Sequence, residues 1–140
     1  MNTEKLEKYN TMYMDVAYRV RQMSHCTRLQ VGAIIVKDDN IISFGWNGTP
    51  KGHCNNCEDD NNVTLPSVIH AERNTLNKLQ NHPSLCEAST LFSTAAPCLS
   101  CAQLIVERGI THVAYGELYR TQDGLDYLVH QGIIIQHVPI

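Results

Sequence analysis

An apolar stripe that repeats every three or four residues dominates the amino-terminal part of the chain. The stripe is formed by Leu6, Tyr9, Tyr13, Val16, Val20 and Met23. This spacing puts the apolar side chains on one face, so it predicts an amphipathic first helix whose tyrosines face the core. Two β-rich apolar runs follow at residues 31–36 and 41–46, separated by the polar turn 37–40. We therefore predict an antiparallel hairpin after the first helix.

Helical and strand patterns alternate after a long polar loop over residues 47–66. We predict helices over residues 70–79, 98–108 and 123–131, and strands over residues 90–93, 112–115 and 133–135. Pro97 favours the start of the middle helix and Gly109 favours its end. Strands joined through helices are usually parallel, whereas the first two strands pair antiparallel. The predicted fold class is α/β, with a mixed five-stranded sheet and helices on both faces, in one domain over residues 1–140.

Length and composition fit a single globular domain. The chain has 140 residues, of which 43% are hydrophobic and 18% are charged, as is ordinary for a soluble protein. The first eight residues are polar and charged, so we expect no signal peptide. No apolar run approaches the roughly 18 residues that span a bilayer. We therefore expect a cytoplasmic protein without a membrane partner, whose cysteines stay reduced and available for metal.

The charge of the chain bears on the size of its substrate. The formal net charge is −3, and the 11 lysines and arginines are scattered along the sequence. Proteins that bind polynucleotides usually cluster their basic residues, because these neutralise phosphates. The charge pattern thus favours a small-molecule substrate over DNA or tRNA.

Two short motifs carry the chemistry, His70-Ala71-Glu72 and Pro97-Cys98-Leu99-Ser100-Cys101. One imidazole and two thiolates suit zinc and leave a fourth tetrahedral position for water. Cys98 and Cys101 fall in the first turn of one predicted helix, where the helix dipole favours thiolates. This H-x-E…P-C-x-x-C arrangement is the signature of zinc-dependent base deaminases. We predict that His70, Cys98 and Cys101 bind a catalytic zinc and that Glu72 carries protons.

Two other interpretations of the cysteine pair remain open. Cys98 and Cys101 could form a redox pair, which would leave the His70-Ala71-Glu72 motif without a role. They could also be half of a structural zinc site that other cysteines complete. Structural sites usually have four protein ligands, whereas three ligands beside a carboxylate are typical of hydrolytic zinc.

Longer segments resemble a known family. The sequence VGAIIV at residues 31–36, followed by GWNGTPKG at residues 45–52, is similar to a VGAxIV…GYNGxPxG pattern. Residues 70–74 match HAExN, and residues 97–102 match PCxxCA. Across nearly the whole domain the chain thus resembles the deoxycytidylate (dCMP) deaminases of the cytidine deaminase-like superfamily. It departs from them at Trp46, where tyrosine is usual, and in its short loop over residues 52–69.

The resemblance implies a three-layer α/β/α cytidine deaminase-like fold and hydrolysis of dCMP to dUMP and ammonia. Such a reaction supplies dUMP for thymidine nucleotide synthesis. Glu72 would take a proton from water, pass it to ring N3 and later protonate the departing ammonia. Asn47 would bind the sugar 3′-hydroxyl, the Ala71 amide would contact the base, and Tyr119 would lie near the ring or the phosphate.

The sequence leaves the phosphate ligand open among Arg28, Lys51 and Arg120. The resemblance also implies a homo-oligomer, often a hexamer, that dCTP activates and dTTP inhibits, with Mg²⁺ bound only to these triphosphates. Glycine-containing loops offer amides to phosphates, and basic side chains add charge. The candidate effector residues are Arg28, Gly48, Thr49 and Lys51.

Three further cysteines suggest a second metal site. Cys54 and Cys57 have the spacing of zinc ligands, and Cys26 matches a ligand position of the structural zinc that some family members carry. His53 or His25 could complete four ligands, and the metal would then order a polar loop. The sequence therefore leaves a structural zinc open beside the catalytic one.

Two other functions remain as alternatives. One is deamination of free cytidine or deoxycytidine, or of another base such as an adenosine in tRNA. The other is a structural zinc module that binds a partner without chemistry. Glu72 argues against the module, and the scattered basic residues argue against tRNA.

Overall fold

The helices and strands of the computed structural model follow the predicted order. It describes residues 3–50, 52, 56–118 and 121–139. The helices are α1 (Thr3–Arg21), α2 (Ala71–Asn77), α3 (Leu99–Glu107) and α4 (Asp123–His130). The strands are β1 (Gly32–Lys37), β2 (Asn40–Trp46), β3 (Thr90–Ala95), β4 (His112–Glu117) and β5 (Ile134–His137). A short 3₁₀ turn at Pro83–Leu85, which the pattern did not predict, lies between α2 and β3.

The five strands form one mixed sheet in the order β2-β1-β3-β4-β5. β1 pairs antiparallel with both β2 and β3, whereas β3, β4 and β5 are parallel. Asp38 and Asp39 at the hairpin turn both have positive φ angles, of 51° and 63°. Two-residue hairpin turns with this backbone match the twist of the strands, and aspartate tolerates the conformation. The predicted sheet type and hairpin are therefore confirmed.

The sheet separates two apolar layers. On one face α1 packs against side chains of three strands, including Ile34, Phe92 and Ala114. On the other face α2, α3 and α4 cover the alternate positions, including Ile35 and Leu91. Successive strand residues point to opposite faces, so the continuous apolar run of β1 is explained by burial on both sides. The result is the predicted arrangement of three layers.

The buried face of α1 differs in part from the predicted stripe. Leu6 and Met23 are 47% and 57% exposed, whereas Met14 is only 1% exposed and Tyr18 is also buried. Met23 is exposed because α1 ends at Arg21, before that residue. The predicted burial of Tyr13 is confirmed, because its ring packs against Phe92 with the ring centroids 5.3 Å apart.

The helices α2 and α3 begin beside each other at one side of the sheet. α2 follows the long loop after β2, and α3 follows β3 directly. His70 is the residue before α2, and Cys98 is the residue before α3. The two predicted zinc motifs are therefore brought together at two helix starts. Within the described part of the chain, no helix is long and apolar enough to cross a membrane.

Candidate active site

The three predicted zinc ligands form a compact cluster. His70 Nδ1 lies 3.5 Å from Cys98 Sγ and 3.4 Å from Cys101 Sγ. Ligands of tetrahedral zinc, with bonds of about 2.0–2.1 Å to nitrogen and 2.3 Å to sulfur, stand about 3.6 Å apart. The observed nitrogen–sulfur separations are close to this value. The donor set and its spacing therefore fit zinc.

The number of ligands favours a catalytic site over a structural one. Among the described residues, His70, Cys98 and Cys101 form a group of three, with all ligand atoms within 4.8 Å of one another. A structural site would normally add a fourth protein ligand. Cys98 and Cys101 are free thiols and not a disulfide. His70 and Cys98 line a cleft that Glu72 also lines.

The two thiols are electrostatically different. A hydrogen bond from Cys101 lowers the pKa of Cys98 to about 3, and the same bond raises the pKa of Cys101. In this arrangement Cys101 is the donor and Cys98 the acceptor. Because zinc binds thiolates, the Cys101 proton must leave when the metal binds. Hydrogen bonding to Cys98 also raises the pKa of His70.

Glu72 is a buried carboxyl in the first turn of α2. It is 4% exposed, and its Oε1 lies 3.3 Å from the hydroxyl of Ser93 on β3. Burial raises the pKa of the Glu72 carboxyl, and the nearby His70 offsets part of that rise. A carboxylate with a raised pKa is a stronger base than an ordinary one, so it takes a proton more readily. The environment of Glu72 thus suits the predicted proton transfer.

One wall of the cleft comes from the segment before β1 and from the loop before α2. Arg28 and Leu29 line it from the first, and Thr64 and Val68 from the second. Arg28 Nη1 donates a hydrogen bond to Thr64 Oγ1 over 2.9 Å, which joins the two segments. Among the described residues that line the cleft, Arg28 carries the only permanent positive charge.

Asn47 and Ala71 line the same cleft. The Asn47 side chain also organises the local backbone. Its Oδ1 accepts a hydrogen bond from the Val31 amide over 2.9 Å, and its Nδ2 donates to the Leu29 carbonyl over 2.7 Å. Asn47 is thus buried and held in place beside the cleft, and its contact with a sugar stays a prediction. The contact of the Ala71 amide with a base also stays a prediction.

The glycine loop after β2 is less open than the sequence suggested. Gly48 pairs with Ile69 in an isolated antiparallel bridge, and its amide donates to the Ile69 carbonyl over 3.1 Å. The Gly48 amide is therefore already hydrogen-bonded within the protein, and the role of Gly48 in an effector site stays a prediction. Thr49, the next residue in the chain, is also a candidate for the effector site. The candidate Arg28 lies apart from this loop in sequence and lines the cleft. Lys51 lies outside the described residues.

Cys26 and Cys57 form a disulfide, so the expectation that these two cysteines are reduced is wrong in this structure. The bond joins the segment before β1 to the loop before α2. Beside it, Glu58 Oε1 accepts hydrogen bonds from the hydroxyl and the amide of Thr27, over 2.7 and 3.1 Å. The hydrogen bond from the Thr27 hydroxyl is the main reason why the pKa of the Glu58 carboxyl is lowered. His53 and Cys54, the other predicted ligands of a second zinc, lie outside the described residues.

Tyr119 and Arg120 also lie outside the described residues, so their predicted roles are not placed. Two polar contacts around the site were missed from sequence. Asn74 belongs to the HAExN motif, for which the sequence predicts no role at this residue. Its Nδ2 donates a hydrogen bond to the Trp46 carbonyl over 2.8 Å and so connects α2 to β2. Ser93 reaches Glu72. The sequence does contain a sign of this contact: Ser93 is a polar residue at an alternate strand position whose neighbours on the same side, Leu91 and Ala95, are apolar.

Comparison with known proteins agrees with the geometry. The family model of the cytidine and deoxycytidylate deaminase zinc-binding region matches residues 7–117. The crystal structure of dCMP deaminase from the cyanophage S-TIM5, in complex with dCMP and dUMP, is 40% identical and has a TM-score of 0.89. The match covers 99% of this chain and 99% of that chain.

Curated relatives give the same result. Deoxycytidylate deaminase of Mycobacterium phage D29 is 31% identical over 121 residues, which cover 76% of this chain and 93% of that protein. Deoxycytidylate deaminase of Saccharomyces cerevisiae is 30% identical over 138 residues, which cover 91% of this chain and 44% of the yeast protein. The chain therefore spans less than half of the yeast relative but corresponds to most of the phage one. On these matches and on its His70, Cys98 and Cys101 cluster, the chain belongs to the cytidine and deoxycytidylate deaminase family.

Proposed function

We propose that this protein catalyses the hydrolysis of dCMP to dUMP and ammonia. The observation that carries the proposal is the placement of a buried carboxyl, Glu72, next to three zinc-ligand side chains in one cleft. The 40% identity to a dCMP deaminase crystallised with dCMP and dUMP supports the choice of substrate.

The residues divide the chemistry as follows. His70, Cys98 and Cys101 would hold zinc, which supplies the Lewis-acid chemistry that activates water at neutral pH. Glu72 takes the proton of the attacking water and delivers it to ring N3. A bond forms between water oxygen and C4, and the C4–N4 bond then breaks. Glu72 then takes the second water proton, from the hydroxyl now on C4, and passes it to the amine, which leaves as ammonia, so that one carboxyl serves both transfers at different times.

The test of the substrate is ammonia release from dCMP, CMP, deoxycytidine, dCTP and adenosine-containing oligonucleotides. We expect the highest kcat/KM with dCMP. Faster turnover of deoxycytidine than of dCMP would assign the chain to nucleoside deamination. Turnover of the adenosine oligonucleotides alone would assign it to nucleic-acid editing.

We assign the substrate phosphate to Arg28, because this residue lines the cleft and carries a permanent positive charge. Arg28→Gln is expected to lower kcat/KM for dCMP about 10- to 100-fold, as loss of a hydrogen bond between charged groups predicts. The kcat/KM for deoxycytidine, which has no phosphate, should stay nearly unchanged. Steady-state kinetics with both substrates provide the measurement.

Arg19→Gln is the matched control, since Arg19 is exposed on α1 and bonds to Gln22. Equal losses for dCMP and deoxycytidine in Arg28→Gln would show that Arg28 only supports the loop through Thr64.

Three further features are part of the proposal. The first is a homohexamer that dCTP and dTTP regulate with Mg²⁺, as the family resemblance supports. A monomer in sedimentation, with turnover rates that neither triphosphate changes, would contradict it. A cytoplasmic location is the second feature, and reducing conditions there would open the Cys26–Cys57 disulfide that the structure contains. In that form the two thiols and Glu58, whose ligand atoms lie within 4.8 Å of one another, could hold a second zinc. One zinc per chain in the fully reduced protein would reject this site.

A further inference from the structure

Ser93 is a polar residue in an apolar part of the sheet. It is fully buried in the middle of β3. Its neighbours on the same side of the strand are Leu91 and Ala95, both of which pack in apolar clusters. A buried hydroxyl is unfavourable unless it forms a hydrogen bond. The partner of the Ser93 hydroxyl is Glu72 Oε1, at 3.3 Å.

We propose that Ser93 is a positioning residue for Glu72. The Glu72 carboxyl also has hydrogen bonds with the Cys101 side chain and with its own backbone. By donating to Oε1, the Ser93 hydroxyl adds a contact that Cys101 cannot replace once its thiol is engaged by metal, and so holds the rotation of the carboxyl while Oε2 takes and returns the proton. The inference rests on the proposed function, in which Glu72 moves one water proton to N3 and the other to the leaving amine. A carboxyl that rotated freely would present the reacting oxygen in the correct orientation for only part of the time.

The position of Ser93 suits this task. β3 lies inside the sheet, and Ser93 is in register with Ala33 of β1 on one side and with Tyr115 of β4 on the other. Its backbone is therefore held from both sides, and a site on a rigid strand is more accurately placed than one on a loop. A hydroxyl both donates and accepts hydrogen bonds. Ser93 can therefore stay bonded to the carboxyl before and after Glu72 takes a proton.

The test begins with Ser93→Ala in the zinc-loaded enzyme, on the panel substrate that the wild type deaminates fastest. We expect kcat to fall about ten-fold, as loss of a group that orients a reacting residue typically costs. KM and zinc content should stay within about two-fold, because Ser93 touches neither substrate nor metal in this assignment. Ser89→Ala is the matched control. Ser89 is also buried, 1% exposed, and its hydroxyl donates to the Cys86 carbonyl over 2.6 Å, so it should keep the wild-type kcat.

A second pair of variants separates the hydroxyl from packing. Ser93→Thr and Ser93→Val add side chains of nearly equal size, but only threonine keeps the hydroxyl. We expect Ser93→Thr to retain more kcat than Ser93→Val by about ten-fold. Equal kcat in these two variants, or wild-type kcat in Ser93→Ala, would overturn the inference. Because the wild type is assayed in parallel, its own failure to deaminate dCMP would count against the proposed function instead.

Discussion

Replacing Glu72 with glutamine is expected to lower kcat by about 10²- to 10⁴-fold, the usual contribution of general acid–base catalysis. Glutamine has nearly the same size and can still accept the hydrogen bond from Ser93, but it cannot take a proton from water. Both proton transfers depend on this one group, so the loss should lie in the upper part of the range. The measurement is dCMP turnover at saturating substrate with zinc content determined on the same sample.

Zinc should remain bound in Glu72→Gln, because the ligands are His70, Cys98 and Cys101. The melting temperature should be equal to or higher than that of the wild type. Burial raises the pKa of Glu72, so its ionised form is unfavourable in the folded protein at neutral pH, and glutamine removes that cost. Glu107→Gln, the same chemical change at an exposed position in the last turn of α3, is the control. Near-normal turnover in Glu72→Gln would remove Glu72 from the mechanism.

Replacing Gly124 with alanine is expected to destabilise the folded protein by at least about 3 kcal/mol, at or beyond the upper end of ordinary overpacking. Gly124 lies in the first turn of α4, which packs directly on the peptide before α3. A Cβ at this position would lie 2.0 Å from the Pro97 carbonyl oxygen and 2.9 Å from the Cys98 carbonyl carbon. These are backbone atoms, so no side-chain rotation can relieve the clash. The measurement is unfolding of the zinc-loaded protein by denaturant.

The same substitution should also weaken zinc binding, because the clash pushes on the backbone of Pro97 and Cys98, and Cys98 is a predicted zinc ligand. Competition with a chelator measures this effect. Alanine normally favours a helix over glycine by about 1 kcal/mol, so a loss of stability would show that the clash outweighs helix propensity. Gly48→Ala is the control for stability, since a Cβ there meets nothing within 4 Å. If both variants unfolded alike, the close approach of α4 to α3 would be wrong.

Much of the fold was predictable because its signals are local. The order of helices and strands follows from residue periodicity, and the observed bounds differ from the predicted ones by only a few residues. The zinc ligands were predictable for the same reason. Cys98 and Cys101 lie one helical turn apart, and Glu72 is two residues from His70, so short motifs contain most of the geometry.

The remaining site contacts join segments that are distant in the sequence. Ser93 is 21 residues from Glu72, Cys26 is 31 residues from Cys57, and the Asn47 amide reaches back to Val31 across 16 residues. No periodicity relates such pairs, because their distance depends on how β1, β3 and α2 pack in the sheet layers.

The sequence by itself determined the element order and the mixed sheet, and it was enough to predict the zinc ligands and the proton carrier, since these signals lie in periodicity and in two short motifs. Only the tertiary structure decided which side of α1 is buried, which carbonyl accepts the hydrogen bond from the Gly48 amide, and which hydroxyl donates to Glu72. Periodicity shows which face of an element is apolar, but it does not show which residues of another element lie against that face. That information lies in how whole elements pack against one another. Here the packing of α2 on the sheet brings Glu72 Oε1 within 3.3 Å of the Ser93 hydroxyl on β3.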